Sequence, residues 1–171
     1  MLNEKMLAAL NEQVREELYS AYLYQSMSAF CNYKGLKGMA HWLDMQAKEE
    51  NIHARIIYDY ILERGGKVQL DTIKAPPHEF ESFLKIFQGA LEHEEYITNR
   101  INNLVELAQK IKDHATFNML QWFVKEQVEE EANANELVDK LTLIGDHPAA
   151  LFQLDAELAA RPVPSPPAAT E

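Results

Sequence analysis

The chain has 171 residues, enough for one domain, and 47% of them are hydrophobic, enough for a sizeable core. Its net charge of −11 argues against nucleic acid and anionic membrane surfaces as partners and is compatible with attracting cations. No run of about eighteen apolar residues is present, so no membrane span is expected; the first residues lack the basic-then-apolar pattern of a signal peptide, which predicts a cytoplasmic protein. With Cys31 as the only cysteine, an internal disulfide, a Cys-based metal site and a Cys-x-x-Cys redox centre are all excluded.

Asn3 can cap a first helix, with Glu4 in its favourable first turn. A stripe then runs Leu7, Leu10, Val14, Glu17, Ala21, Tyr24, Ser28, alternating steps of three and four as one buried helical face does. The pattern predicts a helix over about 4–33, broken at Tyr33-Lys34-Gly35, with a carboxylate, Glu17, on its apolar face. A second helix begins near Leu36 and ends at Arg64-Gly65-Gly66. Its stripe reads Leu43, Ala47, Glu50, Ala54, Ile57, Ile61, and His53 follows Glu50 by one turn, so both can point at one spot. A buried unpaired carboxylate is costly. A divalent metal shared by Glu50 and His53, a buried salt bridge or a protonated carboxyl would each relieve it.

Residues 65–79 hold Gly65, Gly66, Pro76 and Pro77 and keep no helical period. Fifteen extended residues reach roughly 50 Å, and a thirty-residue helix is about 45 Å long. The segment can therefore run the length of a helix and make its two neighbours parallel; antiparallel neighbours would need only a short turn. The third helix, about 79–111, reads Phe80, Phe83, Phe87, Ala90, Glu94, Ile97, Ile101, Leu104, Ala108, Ile111, with Glu94 as its only polar member. After a turn at Lys112-Asp113-His114, the fourth, about 114–144, reads Thr116, Leu120, Phe123, Gln127, Glu130, Ala134, Leu137, Leu141, Ile144. Gly145 ends it. Asp146 can cap a short fifth helix through Pro148, Leu151, Phe152, Leu154 and Leu158, which must dock to be stable. The Pro-rich stretch from 161 to 171 has little to bury, so the domain is expected to span 1–160 with 161–171 as a tail. His41, His78, His93, His114 and His147 stand singly and are expected at the surface; of these only His93, beside Glu94, has a neighbour that could give it another place.

Each long helix thus carries a glutamate near its midpoint: Glu17, Glu50, Glu94 and Glu130. In a bundle of equal helices the midpoints share one height whichever way neighbours run, so the four glutamates meet, together with His53. They cannot all be ionised in an apolar core without cations. Glutamates from every helix with a Glu-x-x-His motif make the pattern of a di-metal carboxylate bundle, its oxygen-rich ligands suited to iron or manganese.

At these residues the chain resembles the bacterial non-haem ferritins. Asn11-Glu12-Gln13, Glu17-Leu18-Tyr19-Ser20, Glu49-Glu50-x-x-His53, Thr116-Phe117-Asn118, Leu120-Gln121-Trp122 and Glu126-Gln127-x-Glu129-Glu130 carry the likeness, which extends over residues 1 to about 160. The resemblance implies an all-α, ferritin-like four-helix bundle with a long crossover between helices 2 and 3 and a short fifth helix. It implies a ferroxidase centre in which Glu17, Glu50 and His53 hold one iron and Glu50, Glu94 and Glu130 the second, Glu50 bridging. Tyr24 and Gln127 would stand beside the irons, and Glu49, Glu126 and Glu129 would form a third iron site. Assembly into a shell of 24 subunits that stores ferric mineral is implied as well. Haem is not expected, because Asn51 follows Glu50 where haem-binding relatives use methionine, and Gln127-Val128-Glu129-Glu130 lacks a second Glu-x-x-His. The expected partners are ferrous iron, dioxygen or hydrogen peroxide, and further copies of the chain, with no nucleic acid and no membrane. A soluble di-iron peroxidase or oxidase without storage, and a metal-free structural bundle, are the alternative readings.

Overall fold

A computed structural model describes residues 2–145 and 147–166 of the chain. Its elements are five helices: α1 (Glu4–Tyr33), α2 (Lys37–Glu63), α3 (Phe83–Lys110), α4 (His114–Ile144) and α5 (Pro148–Leu158). Asn3 caps α1 by accepting from the Lys5 amide, and Asp113 caps α4 by accepting from Thr116. The third helix starts at Phe83, four residues later than periodicity suggests, because the Ser82 hydroxyl accepts from the Lys85 amide and fixes the start there. Phe80, counted in the stripe, lies before the helix and stacks edge-on against Phe30. Asp146, read as the cap of α5, lies outside the described residues; His147 holds that position without a side-chain cap bond.

Two apolar clusters fill the bundle. One joins Leu23, Met27 and Cys31 of α1 with Met39 and Leu43 of α2, Ile86 and Phe87 of α3, and Leu137 and Leu141 of α4. The other joins Met6, Leu10 and Val14 with Ile57 and Ile61, Ile97, Ile101 and Leu104, and Leu120 and Phe123. Each fully buried side chain of this size contributes about 1.5–3 kcal/mol relative to exposure. The clusters also give the helix directions. α1 and α4 pass from the second cluster to the first, and α2 and α3 from the first to the second, so α2 and α3 are parallel.

The crossover makes this possible, and its contacts trace its path. Asn11 Oδ1 accepts from the Gln69 amide at 2.7 Å, Lys74 Nζ lies 4.5 Å from the centre of the Tyr19 ring, and the Ser26 hydroxyl donates to Pro77 O at 2.6 Å. The crossover therefore runs along α1 from its first third to its last. Gly65, with φ +70°, turns the chain out of α2 through a backbone conformation that side chains disfavour.

α5 docks on the start of α2. Asp155 Oδ1 accepts from the Met39 amide at 2.8 Å and caps α2, whose own preceding residue, Leu36, supplies no side-chain bond. The approach is so close that a Cβ on Gly38 would lie 1.6 Å from Asp155 O. Beyond α5, Arg161 is tied back to α2 rather than left free, as a tail with little to bury would be: its guanidinium donates to Trp42 O at 3.3 Å and pairs with Glu49 at 2.7 Å.

Candidate metal centre

Between the two apolar clusters lies a polar layer. Glu17 sits between Val14 and Ala21, Glu50 between Ala47 and Ala54, Glu94 between Ala90 and Ile97, and Glu130 shortly before Ala134. All four are 1–3% exposed, as is His53 at 2%. One ligand atom from each of Glu17, Glu50 and His53 lies within 4.8 Å of the others. A second such group joins His53, Glu126 and Glu130. His53 Nδ1 lies 3.3 Å from Glu50 Oε2, and its ring is held edge-on by Trp122 and Phe123, at centroid distances of 5.4 and 5.9 Å.

Glu94 belongs to neither group. The Tyr24 hydroxyl donates to its Oε1, and Gln127 Nε2 donates to its Oε2 at 3.1 Å. Gln127 is fixed further by Glu94 O and Thr98 Oγ1, each 3.3 Å away. Glu49 and Glu126 flank the layer, partly buried, whereas Glu129 is exposed and joins neither group.

Burial holds the Glu50 carboxyl well above the usual carboxylate range, and the charges of Glu94, Glu17 and Glu130 add to the effect. Burial likewise raises Glu94, against the opposing bonds from Tyr24 and Gln127. Glu130 is pushed up to about 8, first by burial and then by Glu94 and Glu49. Glu126 is raised by burial, with His53 opposing and Glu49 and Glu129 reinforcing. Tyr24 is held well above its ordinary value by burial and by Glu94, so it remains a phenol and a donor.

Two carboxylate oxygens, Glu17 Oε2 and Glu50 Oε2, are buried and receive no hydrogen bond from any other residue; the two carboxyls are close enough that a proton on Glu50 bridges them. Buried polar atoms are normally satisfied. Carboxyl oxygens beside an imidazole, in a site where burial and mutual repulsion oppose unpaired negative charge, suit a divalent cation that replaces the protons.

Three supporting side chains escaped the stripes. Gln13 Nε2 donates to Glu17 Oε1 at 2.9 Å, and Arg100 Nε donates to Gln13 Oε1 at 2.9 Å. The arginine thereby decides which end of the amide faces the glutamate. Gln46 Nε2 donates to Glu130 Oε2 at 2.8 Å. Gln13 and Gln46 each precede a stripe glutamate by four residues, the spacing of one helix face, and that spacing could have marked them. His93 corrects the surface expectation made for it: it is buried, Ser20 Oγ lies 2.7 Å from its Nε2, and burial pushes its pKa down to about 4, which keeps it neutral. Cys31 is buried, and burial raises its thiol to about 12, so it is inert apolar filling.

Known proteins agree with this architecture. Residues 7–144 match the family model of the ferritin-like domain. A bacterial non-heme ferritin of Staphylococcus epidermidis is 47% identical over 161 residues, covering 94% of this chain and 97% of that protein. One of Staphylococcus aureus is 40% identical over the same share of each. An open-pore ferritin of the hyperthermophilic archaeon Archaeoglobus fulgidus superposes with a TM-score of 0.94 at 49% identity, covering 95% of this chain and all of that one. With a four-glutamate layer set in an all-α bundle of this topology, and relatives this similar along nearly its whole length, the chain belongs to the ferritin family.

Proposed function

We propose that this protein oxidises ferrous iron at an intrasubunit di-iron centre and stores the ferric product in a cytoplasmic shell of 24 subunits. The observation that carries the reading is the polar layer, where Glu17 and Glu50, each with a buried oxygen that lacks a hydrogen-bond donor, come together with His53. Glu17, Glu50 and His53 hold one iron, and Glu50, Glu94 and Glu130 hold the second, with Glu50 shared. The close approach of the first three supports the first set. For the second, Glu50, Glu94 and Glu130 stand close enough that the charges of Glu94 and Glu130 both raise Glu50 and that of Glu94 raises Glu130, a mutual repulsion that a shared cation would relieve. Glu49, Glu126 and Glu129 take a third iron more weakly.

Iron is the substrate, and each oxidised pair gives two electrons to dioxygen or hydrogen peroxide. The chain's own groups bind, orient and exchange protons. Gln13 turns Glu17 toward the centre, Tyr24 and Gln127 hold Glu94, and Trp122 with Phe123 fixes the imidazole plane. Carboxyls that burial keeps protonated in the metal-free protein, Glu130 among them, release their protons as iron binds.

The test combines anaerobic ferrous titration, stopped-flow oxidation and light scattering on the wild type and Glu50→Ala. The expected wild type is an assembly of about 470 kDa, 24 copies of a 19.6 kDa chain, with a fast oxidation phase that the variant loses while keeping mass and helicity. Wild-type initial rates in Glu50→Ala would overturn the assignment. A small oligomer with full oxidation would favour a soluble di-iron oxidase without storage.

A further inference from the structure

Arg161 stands outside the helices yet is held at four points. Its guanidinium carbon lies 4.4 Å from the centre of the Trp42 ring, one nitrogen donates to Trp42 O at 3.3 Å, another meets Glu49 Oε2 at 2.7 Å, and His41 Nε2–H donates to its carbonyl at 2.9 Å. Both members of the ion pair are largely shielded, with side chains 17% and 21% exposed. Glu49 is the residue before Glu50, and its charge is felt by both Glu126 and Glu130. One of the carboxylates that flank the metal layer is therefore already paired with a cation that the chain itself supplies.

A carboxylate oxygen gripped by a guanidinium at this distance cannot also take a divalent ion without bringing two positive charges together in a half-buried place. We propose that Arg161 is a built-in counter-cation for the outer carboxylates: it competes with a metal ion for Glu49, so that a cation occupies this position only as the C-terminal segment lets go. The inference rests on the reading of Glu49, Glu126 and Glu129 as the weak outer site. It adds the consequence that loading that site and freeing the segment after α5 are one linked equilibrium. Binding at the inner pair leaves Arg161 in place; binding at the outer site displaces it. A guanidinium stacked on an indole and paired at one carboxylate is a modest competitor, able to weaken the outer site without closing it.

The test uses the full-length assembled protein and zinc as a redox-inert probe. Hydrogen exchange of residues 156–166 in the wild type should stay constant while the tight equivalents bind and rise as the weak one fills. Exchange that never changes with zinc overturns the proposal and requires no variant. In calorimetric titration, Arg161→Gln should tighten the weak equivalent by about fivefold, the scale of one ion pair of this exposure, and Glu49→Gln in the same chain should erase the gain. An unchanged or weakened site in Arg161→Gln, or a gain that persists without Glu49, leaves Arg161 as a clamp on the tail and nothing more. The di-iron reading is judged separately, by the tight equivalents and their loss in Glu50→Ala.

Discussion

Replacing Glu130 with glutamine should stabilise the metal-free protein, and the size of the gain should depend on pH. Glu130 is 3% exposed and its carboxyl is pushed from 4.5 up to about 8. A carboxyl whose pKa rises on folding holds its proton more tightly in the native state. Its contribution to stability is therefore complete below about 4.5 and is lost as the pH rises through about 8. At pH 7 the unfolded carboxyl is ionised while the native one must bind a proton, a gap of about 2.5 pH units worth about 3 kcal/mol. At pH 5 the same gap is worth about 1 kcal/mol or less. An amide of equal size escapes this cost, and it also faces Gln46, whose Oε1 is buried without a partner and can accept from the new Nε2 after a rotation. With chelator present, the variant should melt about 5–10 °C above wild type at pH 7, with the gap shrinking severalfold at pH 5. Under anaerobic ferrous iron the order should reverse, because wild type gains binding energy and the variant has lost a ligand. The assay is calorimetry of both proteins at the two pH values, with chelator and with iron. A lower metal-free melting temperature for Glu130→Gln at pH 7 would refute the reasoning. It would show the layer to be a balanced structural network, in which breaking one partnership destabilises.

Other consequences follow from named contacts. Gln13→Leu keeps the volume but removes the donor to Glu17, and should weaken the tightest cation by about tenfold in anaerobic titration, as loss of a ligand-orienting group does; unchanged affinity would mean that Arg100 and Gln13 serve only the fold. Replacing Glu49, Glu126 and Glu129 together with glutamine should lower bound iron from about three to about two per subunit, on carboxylate ligation alone, and an unaltered stoichiometry would remove the outer site. Gly38→Ala pushes a methyl into the Asp155 carbonyl and should cost about 1–3 kcal/mol. The damage should be confined to α5, seen as faster hydrogen exchange over 148–158 with the rest of the bundle unchanged.

Much of this protein is legible in its sequence, because the signals involved are local. A three-four alternation along one helix fixes which face is buried, so the extents of α1, α2 and α4 and the burial of Glu17, Glu50, Glu94 and Glu130 follow from periodicity. The crossover's length against that of a helix fixes the parallel pair. The equal heights of four midpoints bring the glutamates into one layer without knowledge of any contact. Partner choice across helices is another matter. It depends on the rotation of each helix about its axis and on side-chain reach, and the period of one helix encodes neither. Hence Glu126, one position off the stripe, comes beside His53 and Glu130, while Glu94 is turned toward Tyr24 and Gln127. His93 is buried because Ser20 and three aromatic rings from α1 and α3 surround it. Gly38 looks like any helix-start glycine until Asp155, from the far end of the chain, comes to touch it. Arg161 heads a proline-rich stretch that reads as having little to bury; only the docking of α5 carries it to Glu49, because the place where that stretch falls is set by the three-dimensional path before it.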